Sequence, residues 1–386
     1  MSAVQKIIMV LAIICFKEIT AELRPLKILF VVAYFPAPSQ PYILNMMTGL
    51  IDKGHEVSIF AFRRNDVEGD PNVARYGLMD RVMYEEFPAE LPQCDIVFCQ
   101  SATWGKKILE MEALQEWLQN KKLVICLRGL DITGNKVKND PHIYDQLLTT
   151  GDLFLPVCDY FKRLIIQLGC DPNKVVVHHS AINGTQFFFR PRKKVSRKRD
   201  IIKFVSVCRL VQKKGLEYAI QAFAEIVEKR KNVHFTIVGS GHLESRLRKL
   251  TASLGIADKV TFFGWGTQEQ VVSILDKSHI FLLPSITASS GDEEGIANSL
   301  KEAMAMGLIP IGTRHAGTPE LIEDGVSGFL VPEKDSHALA KKMRYILKHP
   351  EIWKKIGQAA RRKIENEFEI KKSVETLEQL FYGLFE

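Results

Sequence analysis

Arg209 and Lys214 are charged residues whose spacing indicates a binding site. They lie on either side of "LVQK" in the segment "VCRLVQKKGLEYA", between a predicted strand and a predicted helix. Two cations beside the free backbone N–H groups of a helix N-terminus favour a diphosphate ligand. Lys213 is predicted to point to solvent instead. On spacing alone the segment also fits a basic surface turn, and that alternative stays open.

Two carboxylates form a second pair. Glu294 and Glu302 are separated by seven residues in "DEEGIANSLKEAMAMG". A turn of small residues there precedes a helix that is predicted to begin at, and to be capped by, Asn298 or Ser299. The spacing puts the carboxylates at different depths, where each can accept paired hydrogen bonds from vicinal hydroxyls of one ligand. The alternative is a pair of solvated acids at a helix end.

Small residues near these charges would bring a ligand close to the backbone. The free N–H groups of Gly295, Ile296 and Ala297 are predicted to face a phosphate or sugar oxygen. Gly239 and Gly241, in "VGSGH", follow the next strand and lack side chains that would keep a ligand away from the main chain. Glycine-rich turns occur throughout α/β folds, so this second pattern is weak by itself.

The elements that would position these residues alternate between strands and helices over 386 residues, a length that allows two domains. Apolar runs such as "KILFVV" and "IIKFVSV" predict strands that are buried on both faces of parallel sheets. The predicted fold class is therefore α/β, with two doubly wound, Rossmann-like domains that face each other across a cleft. Such sheets bind ligands at the carboxyl ends of their strands.

The predicted division of the chain has five parts. Residues 1–24 form an apolar N-terminal extension, residues 25–189 the first domain, and residues 190–200 a linker with seven basic residues in eleven. Residues 201–368 form the second domain, and residues 369–386 a C-terminal helix that can cross back to the first domain. The basic stretch is interpreted as a solvated linker, with a nucleic-acid-binding arm as the alternative.

Three local predictions complete the outline. One helix is expected over "WGKKILEMEALQEWLQNK". A strand is expected over "KVVVHHSAI", with His178 and His179 at its end, as the last strand of the first domain. Only helices are expected after the strand "LIPIGT".

Composition restricts the function only mildly. A net charge of +7 suits phosphate-bearing ligands or an anionic membrane surface and does not by itself indicate nucleic acid. The seven cysteines form no CxxC pair, so they are predicted to be reduced core residues of a cytosolic protein rather than a disulfide or zinc framework. The apolar run "IIMVLAIICF" is too short to span a bilayer. A signal peptide, an interfacial anchor and an extension upstream of the true start remain alternatives for it.

Taken together, these motifs resemble a known family. The Glu–x7–Glu segment, "EAMAMG", "AGTPELI", "DGVSGFLVP", "CRLVQKKG" and "IVGSG" occur in the order found in the family 4 retaining glycosyltransferases, which have the GT-B fold. The resemblance extends from Lys27 onward and is most specific over residues 204–332. It is similar in detail to the bacterial branch that builds exopolysaccharides such as colanic acid.

The resemblance implies roles on the donor side. Arg209 and Lys214 would bind the donor diphosphate, and Glu294 would hold the donor sugar near the reacting carbon, so these three are the expected catalytic residues. The expected donor-binding residues are Glu302, for the ribose hydroxyls, with Gly295, Ile296, Ala297, Gly239, Gly241, Gly264 and Trp265. Trp265 is interpreted as a packing residue, with a stacking platform for the base as the alternative.

On the acceptor side the chain departs from the family. The candidates in the first domain are Ser39, Gln40, Gln100, Arg128 and Asp131. Gln100 and Arg128 stand where relatives frequently have histidine, the Gly-Gly turn after the first strand is replaced by residues 37–40, and Ala297 replaces a usual proline. Arg128 and Asp131 are predicted to face the cleft. Arg128 cannot be a general base, because a guanidinium stays protonated.

The implied function is transfer of a hexose from a nucleotide sugar to a saccharide or lipid-linked saccharide in surface polysaccharide biosynthesis. No cofactor and no essential metal are expected, since the chain has no Asp-x-Asp motif. A cytoplasmic location is expected, with peripheral contact to the inner membrane face and no nucleic-acid partner. The main alternative is a nucleotide-sugar-binding or glycan-binding protein with little catalysis. Glycogen-synthase-like or sucrose-synthase-like activity, and nucleic-acid binding, rank lower.

Overall fold

The computed structural model describes residues 24–37, 40–65, 70–84, 92–192 and 200–386. Two six-stranded parallel sheets form its framework. The strands of the first sheet are β1 (Lys27–Val32), β2 (Glu56–Ala61), β3 (Val82–Tyr84), β4 (Ile96–Cys99), β5 (Lys122–Leu127) and β6 (Leu153–Pro156). The strands of the second are β7 (Ile202–Val207), β8 (Val233–Val238), β9 (Val260–Gly264), β10 (Ile280–Leu283), β11 (Ile309–Thr313) and β12 (Phe329–Val331).

Both sheets have the same strand order. The first runs β3-β2-β1-β4-β5-β6 and the second β12-β11-β10-β7-β8-β9, which is the Rossmann order in each half. Their central strands are continuous apolar runs because helices cover both faces of a parallel sheet. In β1, for example, Ile28, Leu29, Phe30 and Val31 are all fully buried. The predicted fold class is confirmed.

Short connections and sixteen labelled helices surround these sheets in the described residues. In the first half the helices are α1 (Pro41–Asp52), α2 (Pro71–Arg75), α3 (Ala102–Leu109), α4 (Gln115–Leu118), α5 (Leu130–Thr133), α6 (Asn135–Asn139), α7 (Asp145–Thr150) and α8 (Asp159–Gln167). In the second half they are α9 (Leu216–Lys229), α10 (Glu244–Ser253), α11 (Gln268–Asp276), α12 (Asn298–Ala305), α13 (Thr318–Leu321), α14 (Ser336–Lys348), α15 (Trp353–Glu367) and α16 (Ile370–Tyr382).

Three local predictions are wrong. The single helix expected over residues 104–121 is broken, because α3 ends at Leu109 and a short 3₁₀ turn precedes α4. The expected strand "KVVVHHSAI" is not formed as a continuous strand. Val175 makes an isolated bridge to Phe154, and the N–H groups of Val176 and His178 donate to the carbonyls of Phe154 and Pro156 in β6. β12, which pairs with β11, was missed because its three residues are fewer than a periodicity argument needs.

The end of the chain packs against the first half of the molecule. The crossover is fixed at Ile182, whose N–H donates to the carbonyl of Phe368 and whose carbonyl accepts from Ile370, both at 3.0 Å. α16 then lies against α1, where the absence of a side chain at Gly49 makes room for Val374. His55 Nδ1 accepts the N–H of Leu26, and a hydrogen bond of 3.0 Å from His55 Nε2 to Glu378 Oε1 closes the contact.

The cysteines and the apolar segments give two further observations. Cys94, Cys99, Cys126, Cys158 and Cys170 are buried free thiols, and Cys208 is a partly buried one. The expectation of reduced cysteines is therefore met in the described residues, and Cys15 lies outside them. In the part of the chain that the structure describes, no helix has the length and apolarity needed to cross a bilayer.

Candidate active site

A cleft of about 2320 Å³ separates the carboxyl-terminal edges of the two sheets. Loops after β1, β4 and β5 line one wall, and loops after β7, β8, β9 and β10 line the other. Each wall therefore includes the point where the strand order of its sheet reverses, which is where open α/β sheets bind ligands. Four of the predicted residues line this cleft together: Arg209, Lys214, Glu294 and Glu302.

The loop after β7 brings Lys214 to the centre of this group. Gly215 ends the loop with φ +61°, and a side chain there would collide with the carbonyl of Pro284, so the turn into α9 requires glycine. Lys214 is only 8% exposed, and its Nζ forms an ion pair with Glu294 Oε2. Arg209 is exposed on the cleft wall.

The expectation that Lys213 points to solvent is wrong. Its side chain is 8% exposed, and its Nζ lies 3.0 Å from Asp292 Oδ1 and 3.4 Å from the carbonyl of Glu293. The reason is the 3₁₀ turn Gln212–Lys214, which directs both lysines toward the "GDEEG" loop. Lys213 thus holds that loop, and Lys214 is left to face Glu294.

Glu294 is held as a carboxylate. Burial alone would raise its pKa, but the ion pair with Lys214 and the nearby charges of Lys213 and Arg209 lower the pKa to about 2. The carboxylate is therefore ionised at any physiological pH and can accept hydrogen bonds from ligand hydroxyls. Because Lys214 is its partner, a bound diphosphate would have to share that lysine with Glu294.

His315 fixes the backbone of the same loop, and the sequence argument missed it. Its Nε2 accepts the backbone N–H of Glu294 at 3.0 Å, and its Nδ1 lies 2.8 Å from Glu333 Oε1. Since Nε2 is an acceptor, Nδ1 carries the proton and donates it to the carboxylate. The second oxygen of Glu333 accepts the N–H of Thr287. The histidine in "TRHAGTPE" follows β11, which places it at the same sheet edge.

Glu302 lies at a different position on the cleft wall, on α12. Burial raises its pKa to about 7, which the neighbouring charge of Lys301 opposes. Glu302 therefore holds its proton to a higher pH than an exposed glutamate does. Glu294 and Glu302 are thus two carboxyl groups of one cleft with opposite pKa shifts.

Lys301 is a second residue that the sequence argument missed. It is completely buried, and burial lowers its pKa to about 7. Its Nζ donates to the carbonyl of Ser180 in the first half of the chain and lies 5.5 Å from the ring centroid of Phe368. The feature that could have identified it is a lysine within a largely buried stretch of α12, because lysine is rarely buried without a specific partner.

The start of α12 differs from the prediction. The helix begins at Asn298 with Ala297 at the N-cap position, and neither Asn298 nor Ser299 caps it with a side chain. Gly295, Ile296 and Ala297 line the cleft together with the first turn of α12. The first N–H groups of a helix have no partner within the helix, so an uncapped start at a cleft wall offers donors to an anion.

Two of the predicted glycines, Gly239 and Gly241, are required by the packing of neighbouring loops. A side chain at Gly239 would lie 2.0 Å from the carbonyl of Cys208, and one at Gly241 would lie 2.5 Å from that of Leu210. These glycines let the loops after β7 and β8 approach each other, as in the 2.8 Å hydrogen bond from Leu210 N–H to the carbonyl of Ser240. Gly239 also lines the cleft, whereas Gly241 does not.

Gly264, the last residue of β9, and Trp265, in the loop that follows, both differ from their predicted roles. Gly264 is outside the residues that line the cleft and has φ +81°, which serves the turn. Trp265 lines the cleft and is 58% exposed, so the interpretation of Trp265 as a packing residue is wrong. Its accessible ring leaves the stacking alternative as a prediction.

The first-half candidates differ in where they lie and in what they contact. Gln100 and Arg128 line the cleft and contact each other, with Arg128 Nη2 donating to Gln100 Oε1 at 2.8 Å. Asp131 also borders the cleft, but its oxygens accept the backbone N–H groups of Ala102, Arg128 and Gly129, so it shapes the loop. Gln40 lines the cleft, and Ser39 lies outside the described residues.

His178 and His179 make contacts within the fold, away from the cleft. His178 is 4% exposed and bonds through Nε2 to the carbonyl of Ser373 on α16, and burial lowers its pKa to about 4. His179 Nε2 lies 3.4 Å from Glu320 Oε2. Neither lines the cleft. Among the described residues, no group of three or more His, Cys, Asp or Glu side chains could hold a metal ion.

Two nucleotide-binding folds that face each other across such a cleft define the GT-B class of glycosyltransferases. HepE from Anabaena, solved in complex with UDP, covers 92% of this chain and 100% of its own at a TM-score of 0.75 and 16% identity. A glycosyltransferase from Rickettsia africae covers 94% of this chain and 99% of its own at a TM-score of 0.74 and 19% identity. At these identities the likeness concerns the fold.

Sequence comparison identifies the family. Residues 188–363 match the family described as glycosyl transferases group 1. WcaL of Salmonella typhimurium, whose name provisionally assigns it as a colanic acid biosynthesis glycosyltransferase, is 31% identical over 82% of this chain and 90% of its own. AmsK of Erwinia amylovora, an amylovoran biosynthesis glycosyltransferase, is 29% identical over 89% of this chain and 96% of its own. This chain belongs to the group 1 glycosyltransferase family and is a transferase.

Proposed function

We propose that this protein is a retaining glycosyltransferase that moves a hexose from a nucleotide diphosphate sugar to a saccharide or lipid-linked saccharide in exopolysaccharide biosynthesis. The observation that carries the proposal is the meeting of Arg209, Lys214, Glu294 and Glu302 in one cleft. The names of the colanic acid and amylovoran relatives, which match over most of the chain, support the exopolysaccharide assignment.

The donor occupies the second-domain wall in this proposal. Arg209 and Lys214 bind the diphosphate, and the uncapped start of α12 directs backbone N–H groups toward a phosphate or sugar oxygen. Glu302 accepts the ribose hydroxyls, and Glu294 accepts those of the transferred sugar. The opposite pKa shifts of these two carboxyls support distinct roles, because Glu294 stays ionised while Glu302 becomes ionised near neutral pH.

The transfer proceeds on one face of the sugar. The bond from the anomeric carbon to the leaving phosphate oxygen breaks, and a bond from that carbon to the acceptor oxygen forms on the same face. The acceptor hydroxyl gives its proton to the departing phosphate oxygen, so no protein base is required. Lys214 and Arg209 stabilise the negative charge that develops on the diphosphate, which is the main contribution of this site to catalysis. No divalent metal takes part in the proposed step.

Two experiments test the proposed function in sequence. Purified protein is first incubated with a panel of nucleotide sugars, and thermal unfolding is recorded. A ligand present at 100 times its dissociation constant stabilises the fold by about 2.7 kcal/mol, so the cognate donor is the one that raises the melting temperature most. That donor is then incubated with lipid-linked acceptors in the presence of EDTA. Release of nucleoside diphosphate and retention of anomeric configuration are expected. Binding of the nucleotide sugar without release of nucleoside diphosphate would instead support the alternative of a nucleotide-sugar-binding protein.

The cellular location forms part of the same proposal. We expect the protein at the cytoplasmic face of the membrane, where the net charge of +7 attracts it to anionic lipid. Sedimentation with anionic vesicles at low salt, lost at high salt, checks this expectation.

A further inference from the structure

The wall of the cleft formed by the first sheet contains two buried donors that have no acceptor among the described residues. Gln100 follows β4 and is 4% exposed, and its Oε1 accepts a hydrogen bond from Arg128 Nη2. A guanidinium group only donates, so the amide oxygen of Gln100 must face Arg128 and the amide nitrogen must point elsewhere. Gln100 Nε2 and Arg128 Nε are buried and have no hydrogen-bond partner among the described residues.

Arg128 also lacks a counter-ion in the described structure. Its guanidinium makes no salt bridge to a described carboxylate and lies over the ring of Tyr42, 4.3 Å from the centroid. The nearby acid, Asp131, is occupied by three backbone N–H groups. Arg128 is always charged, and its planar group is suited to bidentate recognition of carboxylate or phosphate. All three side chains, Tyr42, Gln100 and Arg128, line the cleft.

We propose that Tyr42, Gln100 and Arg128 form a subsite for an oxyanion of the substrate, a carboxylate or a phosphate. This inference rests on the proposed function and assigns one subsite within it. The unpartnered groups are donors only, so the ligand must supply oxygen acceptors, and the unpaired guanidinium selects a charged ligand over a neutral hydroxyl. The source that we favour is the carboxylate of an acidic sugar in the acceptor, because Arg209 and Lys214 already provide the cations for the donor diphosphate.

The test compares two ligands that differ in charge. Binding of methyl β-glucuronide and of the neutral methyl β-glucoside to the full chain is measured by calorimetry, and UDP and GDP are measured in parallel. The first variant, Arg128→Gln, removes the charge. The second, Arg128→Lys, keeps the charge but loses the planar group that can donate two parallel hydrogen bonds. Arg163→Gln is the matched control, since Arg163 is an exposed arginine on α8 outside the cleft. Thermal unfolding of each variant verifies that it is folded.

Each result decides between the sources or rejects the subsite. We expect the wild-type protein to bind the glucuronide about 10- to 100-fold more tightly than the glucoside, the scale of a charged hydrogen bond. Arg128→Gln should abolish that preference, Arg128→Lys should keep part of it, and Arg163→Gln should keep all of it. If Arg128→Gln instead weakens only UDP or GDP, the oxyanion is the donor phosphate.

The inference can fail while the proposed function stands. An equal affinity for glucuronide and glucoside in the wild-type protein, together with unchanged UDP and GDP affinities in Arg128→Gln, would overturn the subsite. Retained stabilisation by the cognate nucleotide sugar in that same variant would show that the donor site is intact. Loss of donor binding in Lys214→Ala would identify that donor site independently of Arg128.

Discussion

The two walls of the cleft are built on sheets of the same strand order but differ in how their polar groups are satisfied. On the second-domain wall, Lys214 pairs with Glu294, Lys213 pairs with Asp292, and the neutral His315 donates to Glu333. The buried cleft-lining atoms of this wall that lack a hydrogen-bond partner among the described residues, Asp276 Oδ1 and Asn298 Oδ1, are acceptors. On the first-domain wall, Gln100 Nε2 and Arg128 Nε are buried without a partner among the described residues.

The difference indicates that the two lysines of the second-domain wall are held in place before a ligand binds, whereas the buried donors of the first-domain wall can gain an acceptor from a ligand. Preorganised charges stabilise a developing negative charge without reorganising, which suits the wall that would hold the leaving diphosphate. Unpaired donors suit a wall that must discriminate between acceptor substrates. A substrate that lacks the matching oxygen leaves these donors without a hydrogen bond and therefore binds more weakly. The following four experiments would sharpen or refute this comparison.

The largest effect is expected from Lys214→Ala. It removes a preorganised charge at the diphosphate and should lower turnover at least about 100-fold. It also leaves Glu294 buried without its partner, so the variant should lose stability. The double variant Lys214→Ala with Glu294→Gln removes the unpaired carboxylate and should regain stability without regaining turnover. Normal turnover in Lys214→Ala would refute the assignment of Lys214 to the diphosphate. It would also refute the claim that the second-domain wall is organised to stabilise the leaving group.

His315→Ala tests whether preorganisation depends on the layer behind the wall. His315 is 1% exposed, and the variant leaves the N–H of Glu294 and the carboxylate of Glu333 without this partner. The free energy of unfolding should fall by about 1–3 kcal/mol, measured by urea denaturation. His337→Ala serves as the control, because the side chain of His337 is 76% exposed, and a change within about 0.5 kcal/mol is expected. Equal losses in both variants would argue against a positioning role.

Glu302→Gln tests the pH behaviour of the carboxyl on α12. The pKa of Glu302 is raised to about 7 in the folded protein. Between about pH 4.5 and pH 7 the folded state therefore holds a proton that the unfolded state has released, and this group makes stability fall as pH rises. Glu302→Gln removes the titration, so its stability relative to the wild-type protein should be greater at pH 7.5 than at pH 4.5.

The same variant has a functional readout. Nucleoside diphosphate binding to the wild-type protein should strengthen as pH rises through 7, because the ionised carboxyl accepts both ribose hydroxyls. The phosphate of the ligand also titrates, so the informative quantity is the difference between the wild-type protein and Glu302→Gln at each pH. The exposed Glu116→Gln is the matched control. A stability difference and a binding difference that are both independent of pH would reject the assignment of Glu302.

The smallest effect is expected from Trp265→Ala. If the exposed ring stacks on the base of the donor, its loss should weaken nucleoside diphosphate binding about 2- to 10-fold, the scale of one aromatic contact. Stability should change by less than about 0.5 kcal/mol, because the side chain is 58% exposed. Unchanged affinity would place the base elsewhere along the cleft.

The contrast between the walls also explains what could be predicted from sequence. Arg209, Lys214, Glu294 and Glu302 follow strands at recognisable spacings, so their meeting at one sheet edge follows from the α/β pattern. Lys213 was misassigned because a 3₁₀ turn, rather than residue type, decides its direction. Trp265 was misassigned because an exposed tryptophan in a loop has the same sequence signal as a packed one.

Other features depend on residues that are distant in sequence. His315 reaches Glu294 across 21 positions, and Lys301 reaches Ser180 across 121. In the segment "VVVHHSAI", Val176 and His178 donate to β6, but the last residue, Ile182, bonds to Phe368 and Ile370 near the end of the chain instead. Periodicity reports which face of an element is buried and carries no information about which distant segment covers it.

The return of α16 to the first half of the molecule has a consequence for synthesis. The surface of α1 that receives Val374, and the rings of Phe98 and Phe381 that meet at 5.3 Å, are complete only when the last residues are present. During translation the first sheet is therefore made early, yet its packing is finished only after residues 370–382 have been synthesised. A nascent chain must keep that apolar surface soluble until then, so a truncation near residue 369 damages the half of the enzyme that was synthesised first.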